Sequence, residues 1–216
     1  VSAMRETARQ VAHELKNPLT PIKFAVERLR RDAPPALQES IAVLATESAR
    51  LEALARSFAQ FGRLPEGPRA PVDLGELARY TARAAVPDGT PLEVSVEEGV
   101  PMIAGHHDAI GRALANVILN AADACREGGS ITVRVSRLPR HGNQSVALSV
   151  HDTGHGIPPE RLATIWDPYV TYKSGGTGLG LAIARQTVLA NDGEVTAESE
   201  PGRGTTIRFI FPVPAT

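Results

Sequence analysis

A histidine on a predicted helix, with an acid beside it and an asparagine one turn later, is free to react as a nucleophile, a solvated surface histidine near an ordinary proline kink being the other reading. The set is His13, Glu14 and Asn17, inside Val11-Ala12-His13-Glu14-Leu15-Lys16-Asn17-Pro18-Leu19-Thr20-Pro21-Ile22. A neutral imidazole is a nucleophile, and a carboxylate beside it can fix its tautomer and polarise it for attack. An amide cannot act as a base, but it can hold a water in line with a reacting group.

Further along, Asn116 and Asn120 sit four residues apart, hence on one helical face. An amide oxygen is a hard ligand suited to Mg²⁺, which takes few protein ligands and fills its sphere with water and phosphate oxygens. A polar helix face accounts for the pair equally well. Asp152-Thr153-Gly154-His155-Gly156 closes an alternating run. Its carboxylate can accept from the exocyclic amine of a purine, with Gly154 and Gly156 allowing close backbone approach. A simple Asp-Gly turn is the other reading. Gly175-Gly176-Thr177-Gly178-Leu179-Gly180-Leu181 leads into a helical run, so its amide N–H groups and the helix dipole suit an anion such as phosphate. It lacks the Gly-Lys-Ser/Thr of a P-loop and is not placed as a Rossmann fingerprint. Pro201-Gly202-Arg203-Gly204-Thr205 either backs a nucleotide or merely joins two strands.

The chain that must position these residues has 216 of them, enough for one large domain or two small ones. With 23 basic and 24 acidic residues the net charge is −1, which gives no footprint for nucleic acid or an anionic membrane surface. A single cysteine, Cys125, excludes an internal disulfide and fits a reducing compartment; it reads as a small core residue. No apolar run approaches the roughly 20 residues that span a bilayer, and no signal peptide is visible. The first residue is Val1, so the expectation is a cytoplasmic fragment of something longer.

Residues 1 to 32 read as one helix, with Ala8, Leu15, Ile22, Leu29 and Met4, Val11, Pro18, Ala25 as two heptad rows seaming against other helices. His13 falls away from that seam, exposed, and Pro18 should bend or loosen the helix by removing the bond to the Glu14 carbonyl. Ala33-Pro34-Pro35 ends it, and Leu37, Ile41, Leu44, Ser48, Leu51, Ala55 and Phe58 carry a second heptad. Such a hairpin cannot bury both seams alone, and dimerisation into a four-helix bundle is the simplest remedy.

Gly62 to Pro71 holds three prolines and two glycines and reads as a linker. Beyond it we expect helices over Leu74–Ala85, capped by Asp73, over His107–Cys125 and over Gly178–Asn191. Strands are expected over Leu92–Val96, Ile131–Val135, Val146–Val150, Val195–Glu198 and Thr206–Phe211. The order does not fall into βαβ units, so a one-layer sheet covered by helices is favoured over a doubly wound fold.

Taken in order, the histidine-acid helix, paired asparagines, Asp-x-Gly-x-Gly, Trp166-Asp167-Pro168-Tyr169, Gly-x-Gly-x-Gly and Gly-x-Gly resemble the two-component sensor histidine kinases from about Arg9 to Pro212. The wording from His13 to Ile22 looks most like the nitrogen-regulation sensor kinases of the NtrY and NtrB kind. The resemblance implies an α+β chain: a helical hairpin forming a dimeric four-helix bundle, then an α/β-sandwich ATP-binding domain of the gyrase and histidine-kinase type. Residues 1–62 would be the dimerisation and phosphotransfer domain, 63–70 the linker and 71–216 the catalytic domain.

By that resemblance His13 is the phosphoacceptor, Glu14 the base that orients its ring, and Asn17 the residue that positions water for dephosphorylating a response regulator. Asn120 binds Mg²⁺ with Asn116 in support, Asp152 reads the adenine of ATP, and residues 157–177 form a mobile lid. Two departures stand out. Trp166 and Tyr169 replace the usual phenylalanines, and Asp123 stands where many members carry a basic residue, leaving Lys173 as the candidate phosphate contact or a solvated lid residue. His106, His107, His141, His151 and His155 show no metal-ligand spacing and read as structural or solvent-facing. The implied activity is ATP-dependent phosphorylation of His13 and transfer to a regulator aspartate by a homodimer, with no nucleic-acid partner and no membrane contact. A conformational ATPase and a non-catalytic dimerisation module are the alternatives. A membrane-anchored sensor upstream is consistent with the same resemblance.

Overall fold

A computed structural model of the chain describes residues 2–61, 65, 67–140, 143–172 and 176–214. It divides into two compact units, one of residues 1–64 with 171–179, the other of 65–170 with 180–216.

The first unit is a helical hairpin. Helix α1 (Ser2–Asp32) ends on two basic residues, Arg30 and Arg31, which suit the negative end of its dipole. A short 3₁₀ turn over Pro35–Leu37 follows, and α2 (Gln38–Phe61) begins as the Gln38 side-chain amide donates to the orphan carbonyl of Ala33 at 2.9 Å. Helix α1 runs unbroken through Pro18 and Pro21. The expected loosening is therefore confined to the hydrogen bonds that the two prolines withhold, those to the carbonyls of Glu14 and Asn17.

Facing helices bury Ala8, Ala12, Leu19 and Val26 on α1 against Ile41, Ser48 and Ala55 on α2. The α1 seam thus differs from the expected rows. A helix with one neighbour covers one row only, and Ala12, Leu19 and Val26 provide it, while Ile22 and Leu29 stay about half exposed. The second expected heptad splits the same way, with Leu37 of the turn and Leu44 and Leu51 of α2 open to solvent at 52, 51 and 43 %.

The second unit is built on a five-stranded mixed sheet. Its strands are β2 (Leu92–Val96), β4 (Ile131–Arg140), β5 (Asn143–Asp152), β6 (Glu194–Glu200) and β7 (Gly204–Pro212), in the order β2-β4-β5-β7-β6. Only β2 and β4 are parallel. Alternate residues Val133, Val135, Leu148, Val150, Ile207 and Phe209 form one apolar face, clustered with side chains of α3 (Leu74–Ala85) and α4 (His107–Ala124) and of α6 (Gly180–Ala190). This is the helix-covered single sheet that the element order favoured.

Asp73 caps α3 as expected, its Oδ1 accepting from the N–H groups of Gly75 and Glu76 at 2.8 and 3.0 Å. Strands β4 and β5 run well beyond the alternating cores of their sequences, because the backbone ladder continues to the pair Arg140 and Asn143 without needing a hydrophobic pattern. Three elements of this unit were not anticipated. Residues Ala70–Val72 (β1) and Ile103–Gly105 (β3) pair antiparallel, so the stretch read as linker ends in a strand. Three residues with Pro71 among them carry no alternation signal. A short helix, α5 (Pro159–Leu162), completes the unit. Among the described residues no helix is long and apolar enough to cross a membrane.

Candidate functional site

In the hairpin, His13 is exposed on α1, as its place on the helical wheel requires. It borders an open groove of about 670 Å³ between α1 and α2, which Lys16, Thr20, Phe24 and Glu52 also line. Asn17, four residues on, shares the histidine's face and is exposed. Glu14 points round the helix, and its Oε1 accepts from the side-chain amide of Gln10 at 3.0 Å. The same stretch thus presents an imidazole, an amide and a carboxylate to solvent, and the carbonyls of Glu14 and Asn17 lack N–H partners from Pro18 and Pro21. Across the groove Lys23 meets Glu52 at 3.1 Å, and Arg56 reaches the other oxygen at 2.9 Å. The hydrogen bond from Lys23, with its charge, holds the Glu52 carboxyl below the usual range.

The second cluster forms where β5 and β7 meet α4 and α6. Register places Asp152 opposite both Ile131 and Thr205, and Thr205 opposite Ser199. Ile131, Asp152, Thr205 and Ser199 therefore form one row on the helix-facing side, where the apolar face gives way to polar side chains. Asp152 is 5 % exposed, and among the described residues it is the one buried carboxylate. Burial pushes its carboxyl above the ordinary range, against the opposing pull of backbone N–H groups donated by Gly154 and Thr205. The Gly154 bond is 2.9 Å.

Three glycines make this corner possible. A Cβ on Gly154 would lie 2.5 Å from the carbonyl oxygen of Ala124. At Gly156 (φ +69°) a Cβ would run into the Glu200 carbonyl, and at Gly204 (φ +102°) into that of Asp152. The Asp-x-Gly-x-Gly loop and the start of β7 at Gly204 are thus pressed together, and residues 201–203 form the turn that joins β6 to β7. Ser199, which the sequence reading passed over, ties them. Its Oγ accepts from Ile157 N–H at 2.7 Å and donates to the Gly204 carbonyl at 2.9 Å, and it lies 2.9 Å from Thr205 Oγ1. A half-buried serine on the otherwise polar strand β6 was its only signal.

On α4, both Asn116 and Asn120 are half-buried. Asn116 Nδ2 donates to the carbonyl of Gly180, the first residue of α6, at 3.3 Å, and a Cβ on Gly180 would stand about 4 Å from both amides. The N–H groups opening α6, which have no partner within the helix, and two neutral amides thus share one place, a setting suited to an anion. Among the described residues no group of three His, Cys, Asp or Glu side chains could hold a metal. A cation here would rely on the Asn120 amide oxygen with phosphate oxygens, which is the donor set Mg²⁺ accepts.

Of the remaining candidates, Thr177 Oγ1 accepts from Leu179 N–H at 3.3 Å, Gly178 has φ +66°, and Leu179 is buried. These three belong to the segment grouped with the helical unit. Lys173, and His141, lie outside the described residues. Trp166 packs against the core and Tyr169 holds a left-handed backbone at φ +68°. Cys125 is buried beside this corner, and burial, then the charge of Asp152, push its thiol up, so it stays an unreactive core group. His107, His151 and His155 bond to Asp108, Thr206 and the Gly156 carbonyl, all local structural contacts.

Residues 105–215 match the family model for histidine kinase-, DNA gyrase B- and HSP90-like ATPases, and residues 3–67 that for the His Kinase A (phospho-acceptor) domain. The chain is 32 % identical to the sensor histidine kinase ZraS of Klebsiella oxytoca, over 98 % of this chain and 46 % of that protein. It is 32 % identical to the sensory histidine kinase/phosphatase NtrB of Escherichia coli O157:H7, over 93 % of this chain and 60 % of that protein. Nitrogen regulation protein NtrY of Azorhizobium caulinodans is 30 % identical over 97 % of this chain and 29 % of its own length. Among solved structures, full-length ShkA in complex with AMPPNP superposes with a TM-score of 0.79 at 27 % identity, covering 98 % of this chain and 47 % of that one. The chain thus spans about half the length of ZraS, and less than two thirds of the other relatives named.

Proposed function

The chain belongs to the sensor histidine kinases, and from that membership we propose that it is a kinase core that phosphorylates His13 from ATP and passes the phosphoryl group to an aspartate of a separate response regulator. Residues 1–62 act as the dimerisation and acceptor domain, 63–70 as connector and 71–216 as the ATP-binding domain. The observation that carries the reading is His13 standing exposed on a helix, in a chain whose other unit buries the Asp152 carboxylate beside phosphate-suited backbone.

In this reading Asp152 accepts from the adenine amine, with Thr205 and Ser199 completing the polar row, and the opening turn of α6 receives the phosphates. Asn120, supported by Asn116, holds Mg²⁺, which when bound offsets the charge on the phosphate oxygens. A neutral ring nitrogen of His13 attacks the γ-phosphorus. A nitrogen–phosphorus bond forms, the bond to the bridging oxygen breaks, and ADP leaves with that electron pair. The ring proton passes to Glu14, which must first give up its bond to Gln10. Asn17 takes no part in that step. Its amide instead holds water in line with the aspartyl phosphate of a docked regulator, giving the protein a phosphatase activity.

The homodimer is supported by the rows the hairpin leaves open: Ile22 and Leu29 on α1, Leu37 in the turn, and Leu44 and Leu51 on α2. A second hairpin covers them in a four-helix bundle. A conformational ATPase has no use for an exposed histidine followed by Pro18 on such a helix. The deciding experiment is transfer of label from γ-labelled ATP, which wild type should incorporate and His13→Gln should not. Incorporation by His13→Gln would refute the assignment.

A further inference from the structure

Ser199, on β6, has three polar neighbours at its Oγ and a single proton to place among them. The Ile157 N–H stands at 2.7 Å, the Gly204 carbonyl at 2.9 Å and Thr205 Oγ1 at 2.9 Å. An amide N–H can only donate and a carbonyl can only accept, whereas the Thr205 hydroxyl can do either. One arrangement satisfies all three contacts. Ser199 donates to the Gly204 carbonyl and accepts, on its two lone pairs, from Ile157 and from Thr205. Turned toward Thr205 instead, the Ser199 proton would leave the Gly204 carbonyl without this donor, at the cost that attends an unmade bond.

This placement acts on the corner in two ways. The Gly204 carbonyl and the Thr205 N–H belong to one peptide group, which is a rigid plane. Ser199 holds the oxygen of that plane while its N–H donates to the Asp152 carboxylate. A bond to the carbonyl fixes the plane and strengthens the N–H as a donor. The second effect falls on the Thr205 hydroxyl, which is buried and, among the described residues, bonded to Ser199 alone. With its proton directed at Ser199, Oγ1 has lone pairs but no donor to offer the corner. Its register partner Asp152, as a carboxylate, also only accepts.

We propose that Ser199 is a positioning residue for base recognition: by taking the Thr205 proton it makes this wall accept at both Asp152 and Thr205, and so favours an exocyclic amine over a keto oxygen. An amine brings donors to such a wall. A keto oxygen sets lone pairs against lone pairs. The inference rests on the function proposed above, in which Asp152 accepts from the adenine amine, and it names the residue that sets the polarity of the neighbouring group.

The test compares equilibrium binding of ATP and ITP to the full chain, two nucleotides that differ at the base by a keto oxygen, with its ring proton, in place of the amine. Ser199→Ala leaves the Thr205 proton no oxygen on β6, so it turns into the corner, where it can donate to a keto group. ATP should weaken while ITP does not, narrowing the preference about fivefold, the worth of one hydrogen bond. Ser199→Thr retains the hydroxyl and should retain the preference. A preference unchanged in Ser199→Ala overturns the proposal. Equal weakening of both nucleotides overturns it too, since that is the mark of a tie that merely holds the loops together. A wild type that binds neither nucleotide would instead refute the ATP reading. Neutron diffraction from the deuterated, nucleotide-free chain decides the proton placement in either case. The Ser199 deuterium should point to the Gly204 carbonyl and that of Thr205 to Ser199 Oγ; a Thr205 deuterium aimed away from Ser199 overturns the proposal.

Discussion

Asp152 and Thr205 are register partners across β5 and β7, and the backbone N–H of Thr205 donates to the Asp152 carboxylate. The pairing seats an acid on the helix-facing side of an otherwise apolar sheet, with a neighbouring strand supplying part of what keeps it charged.

Asp152→Asn should abolish nucleotide binding and yet stabilise the empty protein. Burial raises the carboxyl above its unfolded range, so the stability it contributes is full below about pH 3.9 and is lost as pH rises through the higher folded value. At pH 7 the amide relieves that cost, so the variant should melt above the wild type. The Tm gain should shrink as pH is lowered toward 4. Calorimetry of both proteins over that range checks the sign, and equilibrium binding of ATP checks the loss.

His13→Gln should bind ATP as wild type does, because the substitution touches an exposed side chain on a helix outside the nucleotide corner. The wild-type product should be acid-labile and alkali-stable, as a phosphoramidate is. An acid-stable product would move the acceptor to a serine or threonine.

Glu14 and Asn17 should separate in function. Glu14→Gln removes the proton acceptor and should slow phosphorylation of His13 by about 10²-fold or more, the usual scale for a positioned base. Asn17→Ala should spare that step and slow the decay of phosphorylated regulator. Label incorporation and regulator dephosphorylation, measured on the same preparations, decide between division of labour and a single unit.

Leu44→Lys with Leu51→Lys should yield a monomer that still binds ATP, since both side chains lie about half exposed on α2, away from the buried Ile41, Ser48, Ala55 row. Light scattering at micromolar concentration reports the first result and nucleotide binding the second. A dimer that survives both lysines would place the interface elsewhere.

Much of this site was legible in the residues because glycine and asparagine announce special backbone and polar demands. Asp152, Gly154, Gly156, Asn116 and Asn120 could each be named from residue type and spacing. Their assembly could not be seen, since β5 meets β7 across more than fifty residues of sequence, and register rather than local pattern puts Thr205 and Ser199 beside Asp152. Strands β1 and β3 escaped notice because three residues hold no period. On α1 the expected rows included Ala8, which is buried, but passed over Ala12, Leu19 and Val26 because Leu15, Ile22 and Leu29 made the more evident heptad. In the hairpin Ala8, Ala12, Leu19 and Val26 are inside, while Ile22 and Leu29 remain about half exposed.

The place of β7 in the sheet has a consequence for how the protein is made. The hairpin of α1 and α2 closes through contacts local in sequence, the kind that form early. The nucleotide corner needs Thr205 and the Gly204 turn, so it exists only once β7 has left the ribosome and slotted between β5 and β6. A nascent chain therefore displays His13, the acceptor proposed above, well before the corner proposed to take ATP exists. Ribosome-stalled chains ending before Gly204 should already show a protease-resistant α1–α2 hairpin while retaining no nucleotide, and acceptor and donor would mature in that order in every molecule synthesised.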